Sequence, residues 1–307
     1  MIEDPPARPA ARRLPWWALV PLAAVAWWVG GHLFWLLGGL RMTPVGARTA
    51  LPLVPAMLSY LVLGALVGGV AAGMLGRATA RRGLGVAATA GGTVLAVALA
   101  LVATVTTLRE NAPDNFETEP AVLLGLGAVV VVVSALGWGV GALAVLGPAG
   151  AVPGLAVLAG AAPWWFSSVV SALVGFGSAT TLGHAGPWLG AALLVAALLL
   201  VGSRPLSRLG WWPVVVLGAW LVSPALTAAS YLEQLLRPGY GLPRTLPDSL
   251  SAAWDVFGLA SMPGQRDLAP WLAAVAVAAV LTVVLPRIRP SAPLRLERQE
   301  EVTGVVG

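Results

Sequence analysis

The chain has no cysteine and no lysine, only two histidines, and few charges of any kind. Without cysteine there is no disulfide, no thiolate metal site, no iron–sulfur cluster and no thiol nucleophile. His32 and His184 are the only imidazoles, so a haem with two axial histidines, or a histidine-built zinc site, would need both of them and further ligands in reach. No cofactor is expected. Charged residues make up 10% of the 307, where a soluble domain carries about a quarter. Such a chain has too little charge to coat a surface that faces water.

What the chain has instead is apolar sequence, 58% of it. A bilayer core about 30 Å thick takes about 20 apolar residues per helix, and that length finds eight segments: 16–38, 52–75, 84–108, 120–146, 149–174, 187–203, 211–231 and 269–286. The expected fold is an all-α integral membrane protein, a polytopic bundle of about eight transmembrane helices. It consists of a tail 1–14, one membrane domain 15–286 and a tail 287–307. The run from Trp16 to Leu37 exceeds the roughly 7 to 15 apolar residues of a signal peptide and reads as a retained helix. The pair Arg12-Arg13 lacks the rest of a twin-arginine export motif. Pro163 in the fifth segment removes one helical hydrogen bond, which leaves a kinked helix and a re-entrant element as alternatives.

Orientation follows from the arginines, because cytoplasmic loops keep the excess of basic residues. With the amino end inside, twelve of the 18 arginines fall on the cytoplasmic side, among them Arg77, Arg81, Arg82, Arg204, Arg208 and Arg287. Six fall outside: Arg41, Arg48, Arg109, Arg237, Arg244 and Arg266, together with the acids Glu110, Asp114, Glu117 and Glu119. Both termini are therefore expected in the cytoplasm, and the net charge of +5 is topology signal rather than a nucleic-acid surface. The expected partners are the lipid bilayer and other membrane proteins, with no nucleic acid. Arginine-only basicity with abundant Ala, Gly and Val suggests a GC-rich bacterial genome and a place in the inner, or plasma, membrane.

Several segments begin with Pro and Trp together, as in Pro15-Trp16-Trp17, Pro187-Trp188 and Pro270-Trp271. Proline suits the first helical turn and tryptophan the headgroup boundary. In the last outer loop, Leu250, Trp254 and Phe257 recur at helical spacing. They predict a short amphipathic helix over 248–262 that lies on the bundle or in the interface.

Chemistry is harder to find. Apart from His32 and Tyr60, no ionisable side chain falls well inside a segment, which argues against a proton relay. Polar side chains gather toward the outer halves, and His32, Ser59, Tyr60, Ser167, Ser168, Ser171, Ser223 and Thr227 form the candidate site, an outward-facing polar pocket roofed by the loop 232–268. Helix packing explains the same residues, since Ser and Thr often sit at helix contacts in membranes. Glycines at Gly64, Gly68, Gly69, Gly73, Gly137 and Gly141 predict close helix crossings. Ser178 and His184 superficially resemble the serine and histidine of rhomboid-type intramembrane proteases. They stand six residues apart in one loop, however, where that dyad needs two helices.

Three functions are compatible with these residues. The first is a non-catalytic component of the envelope or of a membrane complex. The second is a permease for an uncharged or amphipathic small molecule. The third is an envelope-lipid enzyme at the outer face, using Asp248, Asp255, Asp267, Glu233 or His184.

Overall fold

A computed structural model describes residues 14–42, 49–111, 119–175, 184–203, 205–236 and 245–288. The tail 1–13 with Arg12-Arg13, the acids Asp114 and Glu117, Ser178, and Arg48, Arg204, Arg237, Arg244 and the tail from residue 289 lie outside these residues. Every regular element among those described is helical. Six helices are long and apolar enough to cross a membrane: α1 (Trp16–Leu40), α2 (Pro55–Ala78), α3 (Arg82–Asn111), α4 (Pro120–Leu146), α5 (Ala149–Val174) and α7 (Leu206–Leu235). Two apolar helices are shorter, α6 (Ala185–Val201) and α9 (Ala269–Val284). The seventeen residues of α6 rise about 26 Å, just under the bilayer core. Between α7 and α9 lies α8 (Leu246–Ala260), started by Thr245, whose hydroxyl oxygen accepts from the Asp248 N–H.

The protein is a multi-pass helical bundle organised around α2. In α2, 67% of the apolar stretch is buried, against 22% to 39% in the other five long helices. Its face of small residues allows this. A Cβ at Gly137 of α4 would stand 2.5 Å from the Leu66 carbonyl oxygen of α2, and a Cβ at Gly69 of α2 would stand 2.5 Å from the Ser134 carbonyl oxygen of α4. The two backbones therefore touch, which only glycine permits at that spacing. One core cluster joins α1 to α4, with Trp27, Leu61 and Val130 fully buried. A second joins α5, α6, α7 and α9 through Leu194, Ala219 and Ala278. Phe34, Leu63, Ala161 and Leu226 form the seam between the halves.

Outward, the helices are greasy: Leu124 is 74% exposed, Val94 67% and Leu272 66%. In water such a surface would aggregate; in lipid it is the expected exterior. Several polar groups that face the interior are paired. Trp27 Nε1 donates to Ser134 Oγ, Trp138 Nε1 to Thr89 Oγ1, and the Leu51 N–H to Thr104 Oγ1. Thr93 and Ser168 donate back to the carbonyls four residues earlier, the usual refuge for a hydroxyl in an apolar helix.

Helix α5 runs unbroken through Pro163. Likewise α7 is continuous through Pro224, and it extends four residues past 231, the end expected from hydropathy. Helix α1 contains one π-helical turn, Ala26–Gly30. Such a turn frees a carbonyl from the regular ladder, and Trp165 Nε1 of α5 donates to the Gly30 oxygen at 2.7 Å.

Candidate functional site

The eight residues singled out from sequence fall into two places. Ser223 and Thr227, both on α7, line a cavity of about 500 Å³. His32, Ser59, Tyr60, Ser167, Ser168 and Ser171 do not line it. They lie where α1, α2 and α5 meet.

In that second place the anchoring residue is one that the sequence put in a loop. Glu233 sits in the last turn of α7 and is buried; a carboxyl oxygen accepts from the Ser59 N–H at 3.1 Å and from Ser59 Oγ at 2.6 Å. Hydropathy missed it because the charge and the following leucines look alike at any span end. Its setting is nevertheless physical: Ser59 lies in the first turn of α2, where N–H groups lack helical acceptors and an acid is favoured. Tyr60 is half-buried beside Ser168 and within the field of Glu233, and its ring packs on Phe34 at 5.4 Å. Ser168 is buried, while Ser167 and Ser171 are half-buried on α5.

His32 lies deeper and makes none of the hydrogen bonds that Ser59, Tyr60 or a carbonyl would offer. It is fully buried, and neither Nδ1 nor Nε2 has a partner among the described residues. Its ring lies 4.8 Å from Trp27 and 6.4 Å from Phe34, directly over Gly64 of α2, where any Cβ would collide with it. Its backbone, at φ −114° and ψ 17°, leaves the helical region just after the π-turn. The imidazole is held by shape alone.

The cavity has the more complete architecture. Its walls come from α5 (Ala159, Gly160, Pro163), α6 (Pro187, Gly190, Ala191, Leu194), α7 and α9 (Pro270, Trp271), and its roof from Val256, Leu259 and Ala260 of α8. Glycines let the walls come together: Gly190 meets the Ala159 carbonyl and Gly160 the Ala219 carbonyl too closely for a side chain. The interior is mostly apolar with a few hydroxyls, and Gln265, Arg266 and Asp267 stand together on its lining. A volume of this size suits a small molecule, for which apolar walls with a few placed polar groups are typical.

Arg266 is fixed there by a chain of consequences that begins at Pro224. Proline has no N–H, so the Trp220 carbonyl four residues earlier loses its helical donor. Arg266 Nη1 replaces it at 2.8 Å. The same guanidinium stacks over the Trp220 ring, 4.5 Å from its centroid, while Trp220 Nε1 donates to the Ser261 carbonyl and its ring meets Trp271 edge-on at 5.0 Å. Partial burial lowers the Arg266 pKa from its ordinary value; an arginine keeps its charge in such settings. Beside it, Asp267 Oδ1 accepts from the Ala269 N–H and starts α9. Sequence reading assigned Arg266 to topology and Trp271 to interface anchoring. The one available signal was a proline inside α7 together with an arginine and tryptophans nearby.

The acid–base candidates are dispersed among other tasks. Asp248 accepts from the Thr245 hydroxyl, Asp267 starts α9 and Glu233 holds Ser59. No group of three or more His, Asp or Glu side chains among the described residues could hold a metal ion.

The face of α8 toward the bundle is its small one, Ser249 and Ala253, which are buried. Leu250 is 51% exposed and Trp254 70%, with Trp254 stacked on Phe257 at 5.2 Å. Its apolar stripe thus points away from the protein. Comparison with protein-family models, curated proteins and solved structures finds no match to this chain.

Proposed function

We propose that the chain is a non-catalytic protein of the bacterial cell membrane, and that it takes an amphipathic small molecule into the cavity from the outer side as a permease. Eight helices, α1 to α7 and α9, cross the bilayer with both termini in the cytoplasm. The short α6 and α9 complete their crossing by tilt or local thinning, which costs only fractions of a kcal/mol per Å of mismatch. The arginine count supports this threading, since it leaves Arg77, Arg81 and Arg82 inside. Helix α8 then lies in the outer interface, with Leu250 and Trp254 in lipid and the cavity beneath it.

The observation that carries the reading is the cavity itself: an apolar chamber between α5, α6, α7 and α9, with an arginine and an aspartate on its lining. An amphipath would place its apolar part along Ala159, Ala191 and Leu194 and its polar part near Gln265, Arg266 and Asp267. Because a 500 Å³ chamber with one cation and one carboxylate favours a head of mixed or negative charge, zwitterionic and anionic amphipaths form the test panel. The test is ligand-dependent stability of the full chain in detergent, followed by flux into liposomes. At a concentration one hundred times Kd, a true ligand adds about 2.7 kcal/mol to stability. Ala191→Trp, which fills the chamber, is expected to abolish both the shift and the flux. A panel that shifts wild type and Ala191→Trp equally contradicts the proposal.

A further inference from the structure

At the opposite end of α6 lies a second concavity. It measures about 670 Å³ and is bounded by Leu14 before α1, by Arg77 at the end of α2, Thr79 and Ala80 in the connection and Arg82 at the start of α3, by Val145 at the end of α4 and Pro148 after it, and by Leu200 of α6. Arg77 and Arg82 line it, and among the described residues no acidic side chain does. Both arginines are exposed, as is Arg81. None of the three makes a side-chain hydrogen bond or ion pair among the described residues. In a chain with so few charges, two guanidinium groups on the lining of one hollow, with Arg81 in the same connection, make a concentrated positive field.

Two further features give that field a shape. The thirty-residue α3 begins at Arg82, and its first intrahelical donor is the Gly85 N–H, bonded to the Arg81 carbonyl. The N–H groups of that first turn therefore lack helical acceptors, and Arg82, its first residue, lines the hollow. Apart from Thr79, the other side chains of the wall are apolar, Leu14, Val145 and Leu200 among them. Phosphate chemistry suits the first set of groups and acyl chains suit the second. A free phosphate would use the guanidiniums and leave the apolar wall without a role.

We infer that this hollow is a binding site for the headgroup of an anionic phospholipid, held by Arg77, Arg82 and the start of α3, with the acyl chains descending along Leu14, Val145 and Leu200. The proposal needs no ligand in the larger cavity and stands apart from the permease reading. On the arginine-rich side of the threading, it ties the α2–α3 and α4–α5 connections to one leaflet through a lipid that both share. Basic pockets between helix ends are physically suited to this, because each nearby arginine strengthens the attraction to anionic headgroups.

The test uses the full chain in mild detergent, with phosphatidylglycerol, phosphatidylcholine and inorganic phosphate as probes and native mass spectrometry as readout. Wild type is expected to retain phosphatidylglycerol over phosphatidylcholine. The double variant Arg77→Gln, Arg82→Gln is expected to retain it roughly thirty-fold more weakly, from the loss of two surface arginines. Arg109→Gln, an exposed arginine at the other end of α3, removes one charge and is expected to leave retention unchanged. Equal retention by wild type and the double variant overturns the site. So does equal retention of both lipids. Displacement of phosphatidylglycerol by millimolar inorganic phosphate overturns the lipid assignment and marks a free-anion site instead.

Discussion

Gly137→Leu is expected to prevent assembly of the bundle, whereas Gly139→Leu, two residues away on the same helix, is expected to behave as wild type. At Gly137 a Cβ would meet the Leu66 carbonyl oxygen at 2.5 Å and the Val70 backbone nitrogen at 3.2 Å. Both atoms are backbone and cannot rotate away. Around Gly139 nothing lies within 4 Å of an added Cβ, so leucine there enters lipid. Overpacking a helix crossing of this kind costs about 3 kcal/mol or more, and α2 is the hub on which α1, α4, α5 and α7 all rest. The yield of monodisperse protein in size-exclusion chromatography, together with its thermal midpoint, checks the pair. Two equally impaired variants would mean that α4 dislikes leucine anywhere, and the crossing would lose its special place.

Arg266→Ala should be the most damaging change outside the helix crossings, because two contacts to Trp220 end on one guanidinium. The variant loses a charge-assisted bond to the Trp220 carbonyl and a stacking contact with the Trp220 ring, and it leaves a carbonyl that Pro224 has already deprived of its donor. A charge-assisted bond contributes about 1.5 to 3 kcal/mol and a half-exposed cation–π contact about 0.5 to 1. Allowing for solvent screening at a half-buried residue, the expected loss is about 2 kcal/mol. Arg266→Lys is expected to recover less than half of it, since an ammonium cannot lie flat on the indole and reach the carbonyl together. Denaturation midpoints measure the stability, and the ligand-dependent shift measures the site. Full rescue by lysine would reduce Arg266 to a point charge.

How much of this was readable in the residues depends on which physical signal each feature carries. Hydropathy found the helical stretches, because burial of backbone groups in lipid demands long apolar runs and little else. The glycine faces were readable too: Gly69 and Gly73 on α2 meet Ser134 to Ala142 on α4, as four-residue spacing requires. Hydropathy does not report which side chains end up together across the bundle. Ser223 and Thr227 share a helix face four residues apart and stay together at the cavity. His32 and Tyr60, placed at similar depth, are separated by Phe34. Glu233 eluded the sequence because a single acid beyond residue 231 looks like a loop charge until its contact with Ser59, 174 positions earlier, is known. Arg266 eluded it for the same reason: the need it meets is created by a missing N–H 42 positions away.

The π-turn in α1 illustrates the same limit. Nothing in Ala26 to Gly30 announces an extra residue in the turn, since Trp, Val and Gly all occur in regular membrane helices. The turn persists because Trp165 supplies the donor that the Gly30 carbonyl lacks and because Gly64 leaves room for the His32 ring. Both causes are tertiary.

The most direct test of the account asks which side the cavity faces. Since the chain has no cysteine, Ser223→Cys and Arg77→Cys each carry a single thiol. A membrane-impermeant maleimide added to intact cells is predicted to modify the thiol at position 223 at once and the thiol at position 77 only after lysis. The reverse pattern, with 77 reacting from outside and 223 protected until the cells are opened, would contradict both the threading and the outward access on which the proposed function stands.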